Sequence, residues 1–162
     1  MKKLLFAISI VMFFALLLSA CTGFNDIMYD HLSSANNYAP YRANVQELIC
    51  KEDNTLIIKV TFNDYDVVRN FLGGSPNQEI PLNEYVFSLT VAAENVIILR
   101  ENGFFDAVSV NDSIEVSATS FIYSDSEFFY VAAVRTEEKE YLDAQTGLQN
   151  IIRMMDDNRS IF

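Results

Sequence analysis

Asp64 with Asp66, Asp125 with Glu127, and Asp156 with Asp157 are the pairs whose residue type and spacing best suit acid–base chemistry in this 162-residue chain. Two carboxyls held about 5 to 9.5 Å apart, one with a raised pKa, are the machinery of glycoside hydrolysis. Carboxylate oxygens also ligate calcium, but a calcium loop needs acidic or amide ligands at positions 1, 3 and 5, glycine at 6 and glutamate at 12. None of the three pairs fits that spacing. Each reads first as a solvated turn, where aspartate is favoured by hydrogen bonds to its own backbone. Nucleophilic catalysis is poorly served. His31 is the only histidine, so a serine or cysteine nucleophile has no imidazole base within the folded region, and zinc lacks its usual ligands. No cofactor and no metal is implied.

Aromatic residues offer a different chemistry. Tyr85, Phe87, Phe121, Tyr123, Phe128, Phe129 and Tyr130 are dense, and tyrosines on an open barrel face stack on sugars or hold a peptide. Strand-spaced aromatics are ordinarily core. A tyrosine hydroxyl wants a polar partner, however, which places Tyr123 and Tyr130 nearest the surface. With the acids between them, Tyr123, Tyr130, Asp125 and Glu127 form the candidate ligand-binding group.

The elements that must carry these residues follow from periodicity. Leu56, Ile58, Val60 and Phe62 alternate with Ile57, Lys59 and Thr61, the period of a strand with one face on a core. Arg42 to Cys50 reads as its partner, joined through the turn residues Glu52-Asp53-Asn54. Cys50 is expected there as a small buried hydrophobe. A short helix over 67–72 is capped by Asp64 or Asp66 and ended by Gly73-Gly74. The loop 75–83, with Pro76 and Pro81, cannot join a central ladder.

Tyr85, Phe87, Leu89 and Val91 share the face of a further strand, and Ala92 to Asn95 turns the chain. Val96-Ile97-Ile98-Leu99, apolar on both faces, reads as a central strand. The stretch 101–106 breaks the alternation, as a short plug bearing Phe104 or Phe105. Ser109 to Val116 resembles the lead-in to a strand found in small barrels, including oligonucleotide/oligosaccharide-binding (OB) folds. Strands over 114–123 and 128–136 follow, separated by the turn 124–127, with a continuation at Tyr141-Leu142. Thr146 and Gln149 form a capping-box pair opening a last helix with Leu148, Ile151, Ile152 and Met155 on one face. The architecture is therefore mainly β (α+β), a small, partly open five- or six-stranded OB-like barrel with a C-terminal helix. A small β-sandwich, or a sheet packed on a helix, is the alternative.

Ahead of this domain, Lys2 and Lys3 precede an apolar stretch from Leu4 to Leu17, and Leu18-Ser19-Ala20-Cys21 follows directly. This layout is that of an export signal. It resembles the lipobox signal of bacterial lipoproteins. The resemblance implies that residues 1–20 are removed and that Cys21 becomes a diacylglyceryl thioether at the new amino terminus. The protein would then sit on the extracytoplasmic face of the cell membrane, its partner the lipid bilayer through acyl chains on Cys21. Two acyl chains suffice for stable attachment. Residues 21–41 read as a tether, polar and turn-forming through Ser33 to Pro40, and residues 42–162 as a single domain.

Removal of the signal leaves nine basic residues against 22 acidic ones, a net charge of −13. Nucleic acid is excluded as a partner, since its binding is driven by neutralising phosphates, and anionic headgroups are repelled for the same reason. Only Cys21 and Cys50 exist, so a lipidated Cys21 leaves no disulfide, and the domain must rely on its core. The expected function is a noncatalytic binding or interaction module, taking an envelope protein, peptide or glycan. The alternative is a carboxylate-dependent hydrolase, with or without calcium, acting on cell-envelope glycan.

Overall fold

The computed structural model describes residues 40–123 and 126–159, with side chains over 40–120 and 128–157. Within them the alternating segments become strands: β1 (Tyr41–Cys50), β2 (Leu56–Phe62), β3 (Phe87–Val91), β4 (Ser113–Tyr123), β5 (Ser126–Arg135) and β6 (Glu140–Leu142). On β2 the inward Leu56, Ile58, Val60 and Phe62 are all but fully buried, as are Leu89 and Val91 on β3. Branched and aromatic side chains fit this half-buried, pleated surface, which is why the period-2 pattern locks these segments as strands.

The strands run in the order β3-β2-β1-β4-β5-β6, antiparallel throughout, and one parallel pairing of β3 with β5 closes the first five into a barrel. The circuit β1-β2-β3-β5-β4-β1, with a helical plug between β3 and β4, makes this an OB-like barrel. Closure rests on two ladder pairs, Leu89 with Phe129 and Thr90 with Tyr130. Register shifts between Val45 and Glu47 and between Ser117 and Ala118 supply the bends that a small barrel needs.

Helices stop both ends. Between β2 and β3, helix α1 (Tyr65–Leu72) starts where the Asp64 carboxylate accepts the Asp66 backbone N–H and ends at Gly73, whose φ of 63° suits a residue without Cβ. It inserts Phe71 among the rings of Phe62, Phe87, Phe129 and Tyr41, with centroids 4.6 to 5.6 Å away. Tyr65 donates to the Ile80 carbonyl at 2.9 Å and Tyr85 to that of Asn77 at 2.9 Å, pinning the proline-containing loop against this end.

Between β3 and β4, α2 (Ala93–Glu101) and α3 (Phe104–Ala107) form the other plug. Phe104, fully buried, meets Phe105 at 5.4 Å and Tyr141 at 5.5 Å edge to face. Burying such a ring contributes about 2 to 3 kcal/mol. The run Val96 to Leu99, expected as a strand, is the heart of α2. Its burial has helical spacing, with Ala92, Asn95, Val96 and Leu99 inside and Ile97 outside. Four apolar residues in a row fit either period, and packing decides between them.

Helix α4 (Ala144–Arg159) lies across β5, with Ile151 packed against Ala92 and Ala132. Its cap is Asp143, whose carboxylate accepts the Thr146 backbone N–H at 2.9 Å, so the expected Thr146–Gln149 box lies inside the helix. Asn95, wholly buried, donates to the Gly147 carbonyl at 3.1 Å and accepts from Asn150 at 2.8 Å, tying α2 to α4. Among the described residues, every buried side-chain nitrogen and oxygen has a partner. Among the same residues, no helix is long and apolar enough to cross a membrane.

Cys50 is exposed, contrary to the buried position expected of it. It is the last residue of β1, where the strand runs into the hairpin turn. The turn itself matches expectation: Lys51 and Thr55 share a backbone hydrogen bond, Asp53 accepts from the Thr55 N–H and hydroxyl, and Asn54 takes a φ of 63°.

Candidate functional site

Register, more than residue type, aligns one row of outward positions around the barrel. Ile49 pairs with Ile57, Ile57 with Thr90, Thr90 with Tyr130 and Tyr130 with Thr119, so one row of positions crosses β1, β2, β3, β5 and β4. Ile49, Ile57, Thr90 and Tyr130 are each half-buried, while Thr119 is buried. Ala132 and Ile151 pack beside Tyr130, together with the partly buried Met154 and Met155 of α4. Burial first, and then the negative charge of Asp53 in the β1–β2 turn, push the Tyr130 hydroxyl above its ordinary range. The phenol is a hydrogen-bonding group on an apolar body.

Polar residues flank this row. Lys59 and Glu47, a registered pair on β2 and β1, form an ion pair at 2.7 Å, and the Gln46 amide donates to Thr61 at 3.2 Å. In OB barrels the outer face of β2 and β3, bounded by the β1–β2 and β4–β5 connections, is the usual ligand-binding surface. Here it carries Ile57, Lys59, Ser88 and Thr90, positions that alternate with buried neighbours.

Tyr130 is thus part of the row, but half-buried where it was expected exposed. The backbone sets Tyr123 opposite Ser126 and Glu127 opposite Ile122 at the far end of the β4–β5 hairpin. The side chains of Tyr123 and Glu127, and Asp125 as a whole, lie outside the described residues, as do Cys21 and His31. Of the remaining aromatics, Phe87 and Phe129 belong to the Phe71 cluster, and the Tyr85 hydroxyl is held by Asn77. Phe128 is exposed. Ile49, Ile57 and Thr90 were missed by residue chemistry. Their signal was the outward half of each alternation, which says that they face out without saying that they line up.

Asp64 and Asp66 have local duties. Asp64 caps α1, and Asp66 pairs with Arg69 at 2.9 Å. Asp156 and Asp157 are exposed near the end of α4. A shallow cleft of about 440 Å³ on the β5–β6 hairpin is lined by Glu115, Glu137, Glu138 and Glu140. Its basic residues are engaged: Arg135 pairs with Glu115 at 2.5 Å, and Lys139 donates to the Asn102 carbonyl and lies over the Tyr141 ring. Glu137 is met by Arg42. Among the described residues, no three His, Cys, Asp or Glu side chains converge as metal ligands.

No protein family matches the chain, and no curated protein or solved structure matches it at a significant level.

Proposed function

We propose that the chain is a lipid-anchored lipoprotein of the extracytoplasmic face of a bacterial cell membrane, and that its barrel is a noncatalytic module binding an envelope protein, peptide or glycan. The observation that carries the anchor is Leu18-Ser19-Ala20-Cys21 standing directly after an apolar run preceded by Lys2-Lys3. Binding is supported by the half-buried row Ile49, Ile57, Thr90 and Tyr130, which joins apolar area to hydroxyl groups on the surface that OB barrels use. The structural roles of Asp64 and Asp66 favour binding over acid–base chemistry.

Palmitate labelling of cells expressing the chain tests the anchor. Label is expected on the wild type and absent from Cys21→Ala, which partitions away from the membrane; an unlabelled wild type sinks the proposal. A photocrosslinking residue at Ile57 in intact cells tests the module. A partner whose yield drops in Thr90→Arg is expected, and crosslinking indifferent to Thr90→Arg removes the row from the binding surface.

A further inference from the structure

We propose that the barrel end stopped by Phe71 faces the bilayer, with Leu72, Val86 and Phe128 seated in the interfacial layer of a zwitterionic lipid surface. The inference rests on the lipid anchor at Cys21 proposed above. Large hydrophobic residues exposed among the described residues are Leu72 at 46 %, Val86 at 50 %, Ile97 at 54 %, Val110 at 50 % and Phe128 at 44 %. Leu72, Val86 and Phe128 are the immediate chain neighbours of Phe71, Phe87 and Phe129. Those three rings meet at this one plug, Phe71 lying 5.3 Å from Phe87 and 4.7 Å from Phe129. Consecutive Cα atoms are about 3.8 Å apart, so the three exposed residues lie at this end of the barrel, Phe128 on its outer wall by strand alternation. Scattered surface hydrophobes are ordinary, whereas a grouped set marks a contact surface.

The second observation is where the chain enters the domain. The Tyr41 ring, at the start of β1, lies 5.6 Å from Phe71 and 6.2 Å from Phe62. Tyr41, the first strand residue of the domain, therefore lies at the same end as the apolar rim. Nineteen residues separate Cys21 from Tyr41, a reach of about 70 Å at full extension. An attachment of this length holds the rim near the surface at an effective concentration of order millimolar, where contacts too weak for a free domain are populated.

Ile97, by contrast, belongs to α2, which follows the other end of β3. The rise along that strand is about 16 Å, so Ile97 sits on the far side of the barrel. Charge selects the lipid. Asp66 beside the rim pairs with Arg69 and Asp64 is engaged in capping, while Glu84, two residues before Val86, is exposed there. The acidic domain as a whole disfavours an anionic surface, which leaves zwitterionic headgroups as the fitting ones.

The chain contains no tryptophan, so one introduced indole is an unambiguous reporter. Mature lipidated protein bearing Val86→Trp, Phe128→Trp or Ile97→Trp is reconstituted into phosphatidylcholine vesicles with brominated acyl chains. Quenching about threefold or more stronger at 86 and at 128 than at 97 is expected, because interfacial residues lie roughly 5 to 10 Å into the headgroup boundary. Equal quenching at the three positions overturns the orientation. Blue-shifted emission at 86 and 128 without bromine quenching identifies a protein occupant, such as a second copy of the chain, and overturns it too. Mass spectrometry of the same samples separates the two readings. A diacylated Cys21 with an unquenched rim ends this inference alone, and an unmodified Cys21 ends both.

Discussion

Gly147 lies against Ala132 so closely that a Cβ built on it would stand 1.9 Å from the Ala132 carbonyl oxygen and 2.7 Å from its carbonyl carbon. Ala132 is at the irregular step where β5 departs from simple pairing with β4, and α4 uses the glycine to come down onto that backbone. Glycine inside a helix costs about 0.5 to 1 kcal/mol relative to alanine. Here the penalty is offset by a contact that no other residue permits.

Gly147→Ala should accordingly destabilise the protein even though alanine is the better helix former. Overpacking costs about 1 to 3 kcal/mol where side chains can move, and the atoms met here are backbone. Denaturant unfolding should give a loss at or above the top of that range. A gain in stability, as propensity alone predicts, would show that α4 does not pack this way.

The buried amide relay gives a second test. Asn95→Ala strips the partner from the Asn150 side-chain amide and removes a donor from the Gly147 carbonyl, at a cost of about 1 to 3 kcal/mol for the stranded group. A double-mutant cycle with Asn150→Ala should return a coupling of about 0.5 to 3 kcal/mol. Additive losses would mean that the two amides act separately.

The cap at Asp143 gives a pH test. Hydrogen bonds from Thr146, the backbone N–H foremost, hold the Asp143 carboxyl below the ordinary carboxylate range. Its contribution to stability is therefore fully present above the unfolded-chain value near 4 and is lost as pH falls through the lowered folded value. Asp143→Ala should cost about 0.5 to 2 kcal/mol at neutral pH. Asp143→Asn, which keeps an acceptor at the cap, should retain most of the neutral-pH stability while weakening the acid-side decline. Equal acid-limb slopes for wild type and Asp143→Asn in urea titrations would contradict this assignment.

The strands that frame the barrel were legible because their burial is one-sided: Leu56, Ile58 and Val60 against Ile57 and Lys59, Phe87 and Leu89 against Ser88. The plug at Phe104 and the cap at Asp64 were legible for the same local reason, a break in period in one case and a capping side chain in the other. Val96 to Leu99 was misread because a short apolar run carries no period of its own. The start of α4 was misplaced because Asp143 and Thr146 are both good caps and only geometry chooses between them. The row Ile49, Ile57, Thr90 and Tyr130 depends on three separate registers, one of them parallel and between strands far apart in sequence. No local pattern encodes such an alignment.

That parallel register has a consequence for how the molecule gives way. Positions 89–90 and 129–130, forty residues apart, are the two rungs of the clasp. A ring fastened over so short a length is a curled ribbon in every other respect, since its remaining joints are antiparallel neighbours. Under stress it should unfasten there first, turning a closed cylinder into a ribbon and baring the edge of β3, which is then able to template foreign chains.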